Sequence, residues 1–128
     1  MHRAIRPVYF LEIDGKVPFE QFTQDAQKAG RRGDIVKILG LLDQIAQGHE
    51  LPPNANRELR EVAAEDKWRE FELRKNQTRV YYFVLPPDGR VVVLGEVKKE
   101  AKQQRATIAR FRSMKAAYKR FVQKNEEE

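Results

Sequence analysis

The stretch FELRKNQTRVYYFV, from Phe71 to Val84, decides the fold because it has the pattern of a β-hairpin. Apolar and polar residues alternate up to the turn segment KNQT and alternate again after it, as expected for two half-buried strands. Arg74 and Arg79 flank the turn. They are either solvated charges at the edge of a sheet or parts of a site for an anion.

A third strand follows this hairpin. The segment PPDG between Leu85 and Arg90 combines proline with Asp-Gly, the residues of a tight turn. The sequence therefore predicts strands over Trp68–Arg74, Arg79–Leu85 and Arg90–Val97, joined as an antiparallel meander.

The N-terminal half predicts one strand and two helices. Pro7–Ile13 is short, aromatic and β-branched, and Asp14-Gly15 would end it as a strand. A helix is expected from Pro18, because apolar residues then recur at helical spacing up to Gly30. A second helix should run from Asp34 as its N-cap to Gly48.

The remaining segments complete the order. Residues 49–56 are expected to form a loop, and residues 57–67 fit either a short helix or an irregular crossing. A basic helix is predicted from about Glu100 to Gln123. The expected fold is α+β, in the order β-α-α-β-β-β-α, with a helical hairpin on a small, mostly antiparallel sheet. Residues 1–124 would form a single domain and residues 125–128 an acidic frayed tail.

The composition excludes several classes of protein. A chain of 128 residues is long enough for one domain, and the absence of cysteine excludes disulfides and thiolate metal sites. His2 and His49 have no partners at ligand spacing, so neither a metal nor a cofactor is expected. Because no secretory signal and no apolar run of about 20 residues is present, a soluble cytoplasmic protein without a membrane partner is expected.

Positive charge is concentrated at the C-terminus. Residues 1–66 hold nine basic and eleven acidic side chains, whereas residues 98–128 hold ten and four, a net charge of +6. A basic block on an otherwise balanced chain points to an anionic partner. The alternative is a solvated helix face, which charge alone favours.

The meander would gather cations at one end of the sheet. Antiparallel order returns Lys98 and Lys99 to the place where the second strand begins, near Arg79 and Tyr81. Arg74 ends the preceding strand beside them. A phosphate would relieve the repulsion among these cations through charge-assisted hydrogen bonds, and Tyr81 could stack on a base.

A purely structural explanation of the same residues is also open. Arg74 could pair with Glu72 or Glu96, Tyr81 could pack in the core, and the two lysines could mark the end of a strand. Reasoning from the residues does not choose between these explanations.

A family pattern adds to this reasoning. Over about residues 51–112 the chain resembles the RelE/ParE toxin superfamily, and its HigB-like branch in particular. The matching segments are Phe71-Glu72-Leu73-Arg74, Arg79-Val80-Tyr81-Tyr82-Phe83, Gly89, Val91 to Gly95, and Lys98-Lys99. Glu96 stands where the family has an aromatic residue.

The resemblance implies the toxin of a type II toxin–antitoxin pair. Such a toxin would be a ribosome-dependent mRNA endonuclease, with the ribosome and mRNA as partners and a protein antitoxin, often carrying a helix-turn-helix domain, as inhibitor. Two alternatives stay open. One is a non-enzymatic inhibitor of gyrase with the same fold, and the other is an RNA-binding protein that does not cleave.

The resemblance also implies roles for particular residues in cleavage without a metal. Arg74 and Arg79 would hold the scissile phosphate, and Lys98 or Lys99 would act as a base or electrostatic stabiliser. The residues expected to contact other parts of the RNA are Tyr81, Lys102, Arg105 and Arg112.

Overall fold

The structure is a computed structural model that describes residues 5–59 and 66–127. Its elements are β1 (Val8–Phe10), α1 (Pro18–Lys28), α2 (Arg32–Ala46), β2 (Asn56–Glu58), β3 (Glu70–Lys75), β4 (Thr78–Leu85), β5 (Gly89–Val97) and α3 (Ala101–Glu127). The predicted α+β class is confirmed.

The sheet has five strands in the order β1-β5-β4-β3-β2. Strands β3, β4 and β5 pair antiparallel, as the meander pattern predicts, and β1 adds to the outer edge of β5 in parallel. The hairpin register places Arg74 opposite Arg79 and Lys75 opposite Thr78. The two arginines therefore lie side by side on neighbouring strands.

Strand β2 is an element that the sequence did not predict. Asn56 pairs with Leu73 and Glu58 pairs with Phe71, so β2 covers the free edge of β3. Its three residues are all polar, so they show no alternating pattern, and two prolines precede them in the chain. For these reasons the loop was expected over residues 49–56 and extends one residue into β2. Residues 60–65 of the ambiguous segment lie outside the described residues.

Helices cover both faces of the sheet. On one face, α1 and α2 pack on Leu73, Val80, Tyr82 and Val92. On the other, Phe111 of α3 packs on a second set: Tyr81, Phe83, Val91, Val93 and Leu94. Burial on both sides explains why β4 is apolar and aromatic along most of its length.

The predicted N-cap of α2 is wrong. The helix begins at Arg32, and Asp34 lies buried within its first turn. Its carboxylate accepts hydrogen bonds from Asn76 Nδ2 at 2.7 Å and from Thr78 Oγ1 at 2.9 Å. Asp34 therefore connects α2 to the hairpin turn. Its carboxylate accepts hydrogen bonds from the turn instead of from the backbone N–H groups at the start of its own helix.

Other element ends differ from the sequence prediction. The first strand stops at Phe10 instead of Ile13, because Ile13 and Lys16 pair with each other across a turn. The last helix runs from Ala101 to Glu127, four residues beyond its expected end, through most of the segment expected to fray.

Gly95 of β5 lies against α1 and the backbone of β4. A Cβ there would lie 2.6 Å from Cδ2 of Phe22 and 2.8 Å from the carbonyl oxygen of Arg79. We expect Gly95→Ala to lower the free energy of unfolding by about 1–3 kcal/mol, because neither neighbour can move away easily. Urea denaturation measures this change.

The matched control is Gly40→Ala in α2, where nothing lies within 4 Å of the added Cβ. That substitution should stabilise by about 0.5–1 kcal/mol through helix propensity. Equal effects at the two positions would contradict the close packing of α1 on β5.

Candidate functional site

An open cavity of about 640 Å³ lies between α2 and the β3–β4 hairpin. We call it the hairpin cleft. Four cations line it, Lys37 from α2 and Arg74, Lys75 and Arg79 from the hairpin, beside apolar groups such as Leu41. None of the described lining residues is a carboxylate. The cleft therefore presents positive charge next to a small apolar surface.

The local sequence fixes the hairpin against α2. Asn76 adopts φ 54°, a left-handed conformation that asparagine tolerates, and this allows the two-residue turn between β3 and β4. The side chains of Asn76 and Thr78 donate to Asp34. These bonds hold the turn on the first turn of α2, so that Arg74 and Lys75 face the helix across the cleft.

Arg79 is buried and supports the hairpin turn through hydrogen bonds to its backbone. Only 5% of its surface is exposed, and its Nη1 donates to the carbonyl oxygens of Asn76 at 2.6 Å and Thr78 at 3.1 Å. Its Nε lies 3.5 Å from Oε1 of Glu72. Burial and the neighbouring charge of Arg74 lower the pKa of Arg79. Arg79 thus supports the cleft wall, with its Nη1 already bonded to the backbone of the turn.

Arg74 forms the ion pair that the structural explanation anticipated. Its Nε lies 3.2 Å from Oε1 of Glu72, whose side chain is 1% exposed. One carboxylate is therefore shared by two guanidinium groups, those of Arg74 and Arg79. The Arg74 side chain keeps 35% of its surface exposed, so it remains able to meet a ligand in the hairpin cleft.

Tyr81 is buried under α3. Its hydroxyl donates to Oε2 of Glu96 at 2.6 Å, and its ring lies 5.8 Å from that of Phe111. Burial, followed by the hydrogen bond to Glu96, raises the pKa of Tyr81 far above its usual range. The prediction that Tyr81 stacks on a base is therefore wrong, and the packing alternative is confirmed.

The first turns of α3 contact the buried carboxylates of Glu72 and Glu96. Gln104 Nε2 donates to Oε2 of Glu72 at 2.7 Å, and Thr107 Oγ1 donates to Oε1 of Glu96 at 3.0 Å. Glu96 thus has two hydroxyl partners, one from β4 and one from α3. These two hydrogen bonds explain how a carboxylate is accommodated beneath α3.

The two lysines after β5 take different places. The backbone N–H of Lys98 donates to the carbonyl oxygen of Gln77 at 2.6 Å, so this residue follows the hairpin turn closely. Lys99 is exposed and lines a second cavity, of about 530 Å³, beside α1 and β5. Lys98 thus returns to the start of β4, as the meander pattern predicts, whereas Lys99 lines a different cavity from Arg74 and Arg79.

Sequence reasoning missed Lys37 and Lys75. Lys75 could have been found from the sequence, because it directly follows Arg74 at the predicted end of a strand. Lys37 could not be connected to the hairpin from sequence, because the hydrogen bonds of Asp34 that bring α2 to the turn are tertiary contacts.

The cations of α3 divide into paired and exposed groups. Arg112 Nε donates to Oε1 of Glu70 at 2.8 Å, so this predicted RNA contact is occupied by an ion pair. Lys115 is buried beside Glu70 and Asp66. In contrast, Lys102 and Arg105 are exposed, so their predicted contact with RNA stays a prediction.

We call the exposed cations of this helix the basic surface of α3. Its members are Lys102, Arg105, Arg110, Arg120 and Lys124. Among the described residues, no carboxylate lies within 4 Å of any of them.

No protein-family model matches this chain, and a search of the curated proteins finds no relative. Within residues 5–59 and 66–127, no helix is long and apolar enough to cross a membrane. The same residues contain no group of three histidine or carboxylate side chains placed to hold a metal ion. The hairpin cleft and the basic surface of α3 are therefore the features from which a function can be proposed.

Proposed function

We propose that this chain is a RelE-like toxin of a type II toxin–antitoxin pair and that it cleaves mRNA on the ribosome. The observation that carries the proposal is the hairpin cleft, which Lys37, Arg74 and Lys75 line with partly or fully exposed side chains and whose described lining holds no carboxylate. Phosphate groups match such a site, because charge-assisted hydrogen bonds to guanidinium and ammonium groups are among the strongest in proteins.

The cleft suits the chemistry of RNA cleavage by the neighbouring 2′-hydroxyl. The hydroxyl gives its proton to water as its oxygen attacks the phosphorus, negative charge builds on the phosphate oxygens, and the bond to the 5′-oxygen breaks to leave a 2′,3′-cyclic phosphate. Arg74 and the ammonium groups of Lys37 and Lys75 would stabilise this charge. A lysine ammonium group can also give a proton to the departing 5′-oxygen.

Beyond the reacting phosphate, the basic surface of α3 would hold further RNA phosphates. Its five exposed cations extend along a helix that runs from Ala101 to Glu127. In this proposal the ribosome and mRNA are the targets, and a protein antitoxin neutralises the chain. Binding that depends on several phosphates should weaken steeply as salt rises.

A second candidate is an RNA-binding protein of the same fold that does not cleave. One observation favours it: Arg79 and Tyr81, two residues expected to act on RNA, are buried in contacts with the chain itself. The described lining of the cleft also contains neither histidine nor a carboxylate, the usual general bases.

Growth arrest on induced expression tests the proposal. The double variant Arg74→Gln/Lys75→Gln should reduce killing roughly a hundredfold, because two stabilising charges leave the cleft. The matched control is Lys28→Gln/Arg57→Gln, which removes the same charge from exposed positions outside the cleft and should arrest growth like the wild type. Equal arrest by both double variants, or no arrest by the wild type, would contradict the proposal.

A further inference from the structure

Three arginines meet at the end of the sheet opposite the hairpin turn. Arg6, Arg69 and Arg90 line a cavity of about 290 Å³ beside the C-terminal end of α2. Arg90 pairs with Val84 near the far end of β4, whereas the hairpin cleft lies at the end where β4 begins. We call this cavity the arginine pocket.

Two of these arginines have no acidic partner in the part of the chain that the structure describes. Arg90 Nη1 donates to the carbonyl oxygens of Asp88 and Gly89, at 2.9 and 3.2 Å, and no described carboxylate lies within 4 Å of Arg90 or Arg6. Burial and the nearby charge of Arg6 lower the pKa of Arg90. Two cations are thus held close together in a partly buried place, which an anion would stabilise.

The other polar groups of the pocket leave this positive character in place. Arg69 pairs with Glu58 on the exposed surface of β2 and β3. Glu50, the carboxylate among the described lining residues, is exposed and lies more than 4 Å from the three arginines. The hydroxyl of Tyr82 donates to Oδ1 of Asn56 at 2.8 Å, and burial raises its pKa to about 12, so it stays neutral.

An apolar ledge adjoins the arginine pocket. A neighbouring cavity of about 680 Å³ shares Arg69, Phe71 and Arg90 with it. The ledge consists of Phe71, Val84, Pro86 and Pro87. The ring of Phe71 stacks on Tyr82, with the guanidinium of Arg69 5.5 Å from its centroid. A flat group could lie on this ledge while an attached anion reaches the arginines.

We propose that the arginine pocket binds the phosphate of a nucleotide, with its base on the apolar ledge. Guanidinium groups are suited to phosphate because their planar fork donates two parallel hydrogen bonds. Aromatic faces and cations beside them accept bases by stacking. This site is separate from the hairpin cleft and does not depend on cleavage there.

Calorimetric titration with adenosine monophosphate tests the proposal, with adenosine as the ligand that lacks phosphate. The nucleotide should bind at least about tenfold more tightly than adenosine, and Arg90→Gln should weaken its binding by about tenfold or more. Arg6→Gln provides a second variant if Arg90→Gln does not fold, as thermal melting will show. Arg57→Gln, an exposed arginine outside both cavities, should bind like the wild type.

A short single-stranded oligoadenylate distinguishes a free nucleotide from a nucleotide within RNA. If Arg90→Gln weakens only the mononucleotide, the pocket serves a free ligand; if it weakens both, the pocket is part of an RNA-binding surface. Both outcomes support the arginine pocket. The proposal is overturned if the mononucleotide does not bind the wild type at millimolar concentration, or if Arg74→Gln abolishes binding while Arg6→Gln and Arg90→Gln leave it intact.

Discussion

Glu72→Gln should unfold at a much lower urea concentration than the wild type, with a loss of about 3–5 kcal/mol. The carboxylate is 1% exposed and lies between Arg74, at 3.2 Å, and Arg79, at 3.5 Å. Replacing it with a neutral amide of the same shape removes the carboxylate that pairs with the buried charge of Arg79. The substitution therefore tests whether this one carboxylate holds Arg74 and Arg79 in the wall of the hairpin cleft.

Glu58→Gln is the matched control for this prediction. Glu58 also pairs with an arginine, Arg69, but both side chains are largely exposed. Ion pairs in contact with water contribute about 0–1 kcal/mol, so this variant should unfold almost like the wild type. A loss at Glu72 no larger than that at Glu58 would contradict the buried network.

Phe111→Ala should also destabilise the chain by about 3–5 kcal/mol, because it empties the centre of the contact between α3 and the sheet. The side chain is fully buried, with ring centroids 5.8 Å from Tyr81 and 6.4 Å from Phe83. Urea unfolding followed by circular dichroism measures the loss.

The same helix offers the control. Phe121 is 60% exposed, and Phe121→Ala should change the free energy of unfolding by no more than about 0.5 kcal/mol. If the two variants were equally stable, α3 would not pack on the sheet as described.

The meander could be predicted because its evidence is local. Alternation between Phe71 and Val84, together with two sets of turn residues, specifies strands and their order. Strand β2 could not be predicted in this way, since three polar residues become a strand only because the edge of β3 is free beside them. The role of Asp34 also depends on contacts that are distant in sequence. It looked like an N-cap because its partners, Asn76 and Thr78, are more than forty residues away.

The candidate site was predictable only in part. Arg74, which the sequence singled out, lines the hairpin cleft, and its pairing with Glu72 or Glu96 was part of the structural explanation that the residues allowed. Tyr81 and Arg79 lie on the strand face that was expected to carry a ligand, but α3 covers that face through Gln104 and Phe111. Which face a helix covers is decided by tertiary packing, and strand alternation alone does not reveal it.

The hairpin cleft and the basic surface of α3 make separate contributions in the proposed function. The cleft would hold the reacting phosphate, whereas Lys102 and Arg105 would hold RNA further along the strand. Removing a cation of α3 should therefore weaken RNA binding and its salt dependence, and leave cleavage of bound RNA intact. In this proposal, cleavage itself takes place in the hairpin cleft.

Mapping of mRNA 5′ ends after brief induction tests that claim most directly. We expect the wild type to produce new ends within translated messages, and Arg74→Gln/Lys75→Gln to produce roughly a hundredfold fewer at equal protein level. The Lys28→Gln/Arg57→Gln control should match the wild type. New ends in equal number from both double variants, or none from the wild type, would contradict cleavage at the hairpin cleft.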